Sequence, residues 1–215
     1  MKTLASTPAP KNNSKLLKSS LPKWQALAIA VLFAAAEANA ADLVWIGGSG
    51  NWNAAGNWSP AQMPTAADNA IITNGGTYIV TVPAGTTGTA GSVTVGGASG
   101  TQTLAIDRAT LTLDGASVIH TNGHLDFLVA QSILTGAGNL TVNGTLNWAN
   151  GTMRGTGTTT IGSGGVLTMG SGGVTFGRTL SNGGTATWSG GNLAMSAGHR
   201  AFRRADAGSW GDGGG

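Results

Sequence analysis

Apolar and polar residues alternate in short runs along the second half of the chain, and one five-residue pattern returns four times. The copies begin at Gly123, Gly144, Gly165 and Gly184. A weaker copy precedes them around Leu104 and Ile106. Alternation with a period of two predicts β-strands. Its recurrence about every 20 residues predicts the stacked rungs of a β-solenoid.

Stacking would align equivalent positions into ladders, because a single rung cannot bury its inward side chains alone. The first predicted inward ladder is Leu104, Leu125, Leu146, Leu167 and Ala186. The second, bulkier inward ladder is Ile106, Phe127, Trp148, Met169 and Trp188. The residues between them point outward and form a mostly polar ladder of Ala105, Asp126, Asn147, Thr168 and Thr187. The predicted fold is all-β, a single-stranded β-solenoid of the right-handed parallel β-helix type, with about five rungs of roughly 19–21 residues each.

Composition agrees with this fold. All 37 glycines follow Ile46, and pairs of them at 96–97, 164–165, 172–173, 183–184 and 190–191 mark predicted corners between strands. The chain has no cysteine, which excludes disulfides, thiolate metal sites and cysteine nucleophiles. We expect no cofactor.

The positive charge of the chain is confined to its first residues. All five lysines precede Trp24, whereas from Ala41 onward six arginines stand against seven aspartates, a net charge of −1. A nucleic-acid partner is therefore not expected.

Residues 1–40 have the features of a secretory signal peptide. The lysines form a positive segment, residues 26–36 form an apolar run, and Ala38 and Ala40 supply small residues before a cleavage point. Eleven apolar residues are too few to span about 30 Å of hydrocarbon. We expect export to the extracellular space or the outer cell surface, with no transmembrane segment in the mature chain.

A module rich in tryptophan and glycine opens the predicted mature chain. Its pattern, W-x-G-G-x-G-x-W-x-x-x-x-N-W-S followed by a proline and an acidic residue, is carried by Trp45, Gly47, Gly48, Gly50, Trp52, Asn57, Trp58, Ser59, Pro64 and Asp68. This module resembles the one that opens many secreted bacterial β-strand-repeat proteins, including autotransporter passengers and filamentous-haemagglutinin-like β-solenoids. The resemblance implies an architecture and supplies no catalytic residue.

Two interpretations of Trp45, Trp52 and Trp58 compete. They could cap the open end of the solenoid, because repeat proteins need atypical terminal units. Trp52 and Trp58 could instead form a platform on which sugar rings stack. The strand-like alternation around Trp45 favours capping.

Groups able to carry out catalysis are few. Asp107, Asp114 and Asp126, with Arg108 as a basic partner, could form the site of a polysaccharide lyase or hydrolase if adjacent rungs brought them together. The mature chain has no glutamate, so a glycosidase pair would need two of these aspartates. This is the alternative to a non-enzymatic function.

Two further patterns suggest ligands only weakly. His120 and His124 are close in sequence, but the corner at Gly123 separates them and no third ligand is evident, so no metal site is expected. Threonine runs such as 156–160 suggest ice binding as a function, because ice-binding solenoids use regular threonine arrays. These threonines, however, are not expected to keep one register from rung to rung.

The pattern ends after Gly198, where arginines replace the expected glycine and a Gly-rich tail follows. The tail suggests the truncated or frame-shifted end of a longer gene, or a natural disordered tail. The chain thus divides into a signal peptide (1–40), a capping module (41–83), solenoid rungs (84–198) and an irregular tail (199–215). The predicted function is that of a secreted or cell-surface, adhesin-like structural segment. Its surface candidates are Asp126, Asn147, Thr168 and Thr187, and its expected partners are extracellular glycans or the surfaces of neighbouring or host cells.

Overall fold

The computed structural model describes residues 40–127 and 129–196, together with the backbone of 202–204. The predicted signal peptide, except Ala40, and most of the predicted tail lie outside these residues. The described part contains twenty strands and one turn of 3-10 helix (Ala55–Asn57). None of its segments forms a helix of the length and hydrophobicity that crossing a membrane requires.

The strands, in chain order, are β1 (Asp42–Trp45), β2 (Gly50–Asn51), β3 (Trp58–Ser59), β4 (Asn69–Ile72), β5 (Tyr78–Val82), β6 (Thr87–Ala90), β7 (Ser92–Val95), β8 (Gln102–Ile106), β9 (Thr110–Leu113), β10 (Ser117–Ile119), β11 (Gly123–Phe127), β12 (Ile133–Thr135), β13 (Leu140–Val142), β14 (Thr145–Trp148), β15 (Gly151–Ile161), β16 (Val166–Met169), β17 (Val174–Asn182), β18 (Thr185–Trp188), β19 (Leu193–Met195) and β20 (Phe202–Arg204).

Apart from β3, which pairs antiparallel with β1, the strands stack in three parallel columns, which confirms the β-solenoid. The first column contains β1, β4, β7, β10, β13 and β20, the second β2, β5, β8, β11, β14, β16 and β18, and the third β6, β9, β12 and β19. Because β15 and β17 each run from the third column into the first, these two columns form one 13-stranded sheet, and the second column is a separate seven-stranded sheet. The seven strands of the second column correspond to about seven turns, two more than the sequence predicted, since β2 and β5 of the capping module already belong to it.

The register of the second column shows where the predicted repeat length holds. Along this column Gln102 pairs with Gly123, His124 with Thr145, Thr145 with Val166 and Val166 with Thr185. Successive turns are therefore 21, 21, 21 and 19 residues apart, within the predicted range. Tyr78, however, pairs with Gln102, which is a longer step. The main reason is a longer corner at 96–101, between β7 and β8. The expected repeat length therefore applies only to the later turns.

The two predicted inward ladders face the interior over most of their length. Leu104, Leu125, Leu146, Leu167, Ile106, Phe127, Trp148 and Met169 are buried. Trp148 contacts two other rings, with centroid distances of 5.9 Å to Phe127 and 4.7 Å to Phe176. Full burial of such side chains stabilises a fold by about 1.5–3 kcal/mol each. The ladders therefore hold the turns together.

Trp188 does not lie in the core as the sequence predicted. It pairs in register with Met169, which is fully buried, yet Trp188 itself is 46% exposed and Ala186 is only partly buried. The reason is that β18 is the last second-column strand among the described residues, so no further strand there covers its inward side chains.

A glycine ladder forms the corner between the third and first columns. Its members, in successive turns, are Gly91, Gly115, Gly138 and Gly157. A side chain at Gly115, Gly138 or Gly157 would collide with the carbonyl oxygen of the ladder glycine one turn earlier. Glycine is therefore required for the turns to approach each other at this corner.

Candidate functional site

The second column carries the predicted outer ladder. Ala105, Asp126, Asn147, Thr168 and Thr187 pair in parallel register on β8, β11, β14, β16 and β18. Adjacent strands of a sheet are about 4.8 Å apart, so these side chains form a continuous row. Ala105 alone is buried, because it is shorter than Thr81 and Asp126, which lie on either side of it in the same row.

Asp126 is the chemically distinct member of the outer ladder. The Asn147 side-chain amide donates a hydrogen bond of 2.8 Å to its Oδ1 atom. Partial burial raises the pKa of Asp126, and the hydrogen bond from Asn147 and the nearby His124 oppose this shift without cancelling it. The ladder thus presents one carboxylate, one amide and two hydroxyl groups, all able to hydrogen-bond a polar ligand.

The structure places the two histidines on different elements. His120 lies in the exposed corner after β10, whereas His124 lies on β11 and points outward beside Asp126. Within residues 40–127 and 129–196, no group of three or more histidine and carboxylate side chains is arranged to hold a metal ion.

The candidate catalytic residues do not form one cluster. Asp107 follows β8 in the second column and pairs with Arg108, its Oδ1 atom 3.2 Å from the Arg108 Nε atom. Asp107 and Asp114 lie beyond opposite ends of the third-column strand β9, and the Asp114 side chain accepts a hydrogen bond from the Ala137 backbone N–H. Asp126 shares a column with Asp107 but lies one turn later. Asp114 is therefore separated from the other two aspartates.

The three tryptophans of the capping module pack against one another. The Trp58 ring lies 5.0 Å from the Trp45 ring and 4.9 Å from the Trp52 ring, both edge to face. All three side chains are buried, Trp52 at 2% exposure and the others at none. Burial rules out Trp52 and Trp58 as a platform for sugar rings, because neither ring face is accessible.

The glycines of the tryptophan pattern have a packing role. A side chain at Gly47 or Gly50 would contact the Asn57 side chain, and one at Gly50 would also press on Trp45. The Trp58 indole donates a 2.8 Å hydrogen bond to the Trp52 carbonyl. β3 pairs antiparallel with β1 and forms the outermost strand of the 13-stranded sheet. The pattern thus builds a closed end for the first column.

Arg178 is a buried cation whose role was not predicted from the sequence. It occupies the next position of the glycine ladder after Gly157, and its side chain, only 3% exposed, reaches back over two turns. Its Nε atom donates to the Gly157 carbonyl at 3.0 Å, and its Nη2 atom donates to the Gly138 carbonyl. Burial lowers the pKa of the guanidinium. These contacts give Arg178 a structural role at the corner.

Comparisons of the chain with models of protein families, with curated proteins and with solved structures found no match.

Proposed function

We propose that the chain is exported and acts outside the cell as a structural, adhesin-like β-solenoid of the kind found in large secreted bacterial proteins. The observation that carries this proposal is the outer ladder, in which Asp126, Asn147, Thr168 and Thr187 repeat in register on successive turns. A row of equivalent polar groups on a stacked scaffold favours many weak contacts with an extended partner.

Glycan chains are the partner class that this chemistry favours. Sugars present repeated hydroxyl groups, and the carboxylate of Asp126, the amide of Asn147 and the hydroxyls of Thr168 and Thr187 can donate to or accept from them. The partners would be extracellular glycans or the glycan-covered surfaces of neighbouring or host cells. Export rests on the signal-like segment of residues 1–40.

Cleavage of a polysaccharide is the competing function. It would need two of Asp107, Asp114 and Asp126 to act as a pair, with Arg108 as the basic partner. The separation of Asp114 and the ion pair between Asp107 and Arg108 favour contact over cleavage. Asp126 and Asn147 remain useful to a binding surface without any catalytic partner.

A glycan array probed with the full-length chain tests the proposal. We expect binding to one or more glycans, loss of that binding in Asn147→Arg, and retention in Thr141→Arg. Thr141 is the matched control, since it points outward and is half-buried on the first column. Absence of binding to every glycan on the array and to intact cells would contradict the proposal. Release of new sugar ends from a bound polysaccharide would replace it with the enzymatic alternative.

A further inference from the structure

The outer surface of the third column carries threonines in two aligned rows, which we call the threonine face. Its members are Thr87, Thr89, Thr110, Thr112, Thr135, Thr152 and Thr175. One row runs through positions 87, 110, 133, 152 and 175, and only Ile133 interrupts it. The second row contains positions 89, 112 and 135. The residues between the two rows, such as Leu111 and Leu134, are buried.

This alignment differs from what the sequence indicated. The run 156–160 forms no longer row, because Thr158 pairs with one other threonine, Thr179, and Thr160 with one other, Thr141. The threonines of the third column do keep register, but the step from Ile133 to Thr152 is shorter than the steps before and after it. A single fixed period therefore does not detect them. No register shift occurs along either row, because the irregularity in β15 begins only after Arg154.

The threonine face is a regular lattice of hydroxyl and methyl groups. Strand spacing sets one repeat at about 4.8 Å, and alternate residues along a strand set the other at about 6.6 Å. Threonine is stiff at χ1, so each hydroxyl keeps a defined position. The threonine hydroxyls that hydrogen-bond within the described residues belong to Thr65, Thr77, Thr86, Thr159 and Thr187. None of these lies on the face, so its hydroxyls are available to water.

The chemistry of the face does not suit an ionic ligand, and the face offers no aromatic ring on which a sugar could stack. Arg154 is the one ionisable residue at the outward positions of the described third-column strands. No aromatic side chain occupies those outward positions, and Phe176 of β17 points into the core. A neutral ligand that is itself a flat lattice of hydrogen-bonding groups fits this surface best.

We propose that the threonine face binds the surface of ice. Oxygen atoms on the prism face of hexagonal ice repeat on a rectangular lattice close in size to that of the two threonine rows. Hydroxyl groups at fixed positions would hold waters at these spacings, and the adjacent methyl groups would restrict the orientations of those waters. The ordered waters would then merge with a growing ice layer. This activity is distinct from contact through the second column and does not depend on it.

Ice growth in the presence of the full-length chain tests the proposal. We expect the wild-type chain to give faceted ice crystals and to slow recrystallisation. Thr112→Tyr places a ring in the centre of the face and should abolish both effects. Thr141→Tyr is the matched control on the first column and should leave them unchanged. Thr152→Tyr, in the other row, serves if Thr112→Tyr fails to fold, as judged by circular dichroism.

Three results would overturn the proposal. Rounded ice crystals with the wild-type chain at its solubility limit would exclude ice binding. Equal loss of activity in Thr141→Tyr and Thr112→Tyr would show that the third column has no special role. Binding to microcrystalline cellulose, abolished by Thr112→Tyr and without any effect on ice, would assign the face to a polysaccharide. A glycan array without signal, together with normal shaping of ice crystals, would contradict the adhesin-like function and leave the ice-binding proposal standing.

Discussion

Charged side chains lie at both ends of the corner that the glycine ladder forms. Asp68 is beside Gly91, whose N–H donates to the Asp68 carbonyl at 2.8 Å, and Arg178 is beside Gly157 at the other end. Asp68 accepts hydrogen bonds from backbone groups of the capping module, whereas Arg178 donates to carbonyls of the ladder. Asp68 and Arg178 therefore hydrogen-bond backbone groups that would have no side-chain partner if glycine stood at these two positions.

Asp68→Asn should destabilise the fold in a pH-dependent manner. The hydrogen bond from the Thr65 hydroxyl, helped by backbone N–H groups of Thr65 and Ala41, holds the pKa of Asp68 below its ordinary value although burial opposes the shift. Such an acid stabilises the fold above its unfolded pKa, and the contribution is lost as pH falls through the folded pKa. We expect a loss of about 1–3 kcal/mol in urea denaturation at neutral pH. The difference should vanish in strong acid, and a constant difference would contradict this account.

Asp126→Asn should have the opposite effect. Partial burial raises the pKa of Asp126, so ionisation costs more in the folded state than in the unfolded state. Stability therefore falls as pH rises from the unfolded pKa through the folded pKa. The substitution removes this cost, and the new amide oxygen can still accept the hydrogen bond from Asn147. We expect a higher thermal midpoint at neutral pH and a smaller difference in acid. A lower thermal midpoint of the variant at neutral pH would contradict a raised pKa of Asp126.

At the scale of the strand and its corners, close approach of successive turns depends on glycine. Gly138→Ala should destabilise the fold by about 1–3 kcal/mol, because the added methyl group would collide with the Gly115 carbonyl. Gly164→Ala is the matched control, since a side chain there meets no atom within 4 Å. Chemical denaturation of both variants measures the difference. Equal stability of the two variants would show that the corner relaxes more easily than the structure implies.

The second column could be predicted from the sequence because its strands repeat with nearly constant spacing. Leu125, Leu146 and Leu167 follow one another at equal intervals, and their outward neighbours Asp126 and Asn147 inherit that register. The candidate ladder was therefore predictable, whereas the hydrogen bond from Asn147 to Asp126 is seen only in the three-dimensional structure.

The first and third columns could not be predicted in the same way. Their strands are short, their spacings vary, and some of their inward positions are polar, as at Ser117 and Thr159. The run 151–161 contains several glycines, which are typical of turns, yet it forms the single strand β15 through two columns. Extra residues of β15 between Arg154 and Thr158 bring Arg178 beside Gly157, and nothing in the local sequence indicates that register shift.

At the scale of the whole solenoid, the two ends differ in how their apolar side chains are covered. The first turn is closed by the buried cluster of Trp45, Trp52 and Trp58. In the last described turn, β18 and β19 leave Trp188, Leu193 and Met195 exposed, although the residues one turn earlier at the same positions are buried. An apolar surface beside strand edges that no other described strand covers favours association with another chain.

This exposed end should make the chain associate as its concentration rises. We expect the double substitution Trp188→Ser with Met195→Ser to lower the sedimentation coefficient observed at high concentration, because both side chains are about half exposed (46% and 57%) and apolar. Ile79→Ser is the matched control, since Ile79 is 48% exposed on the side of the second column and away from the last turn. Sedimentation velocity over a concentration series measures the change. If Ile79→Ser reduced association as strongly as the double substitution, the contact would lie on the side of the solenoid and the end would have no special role.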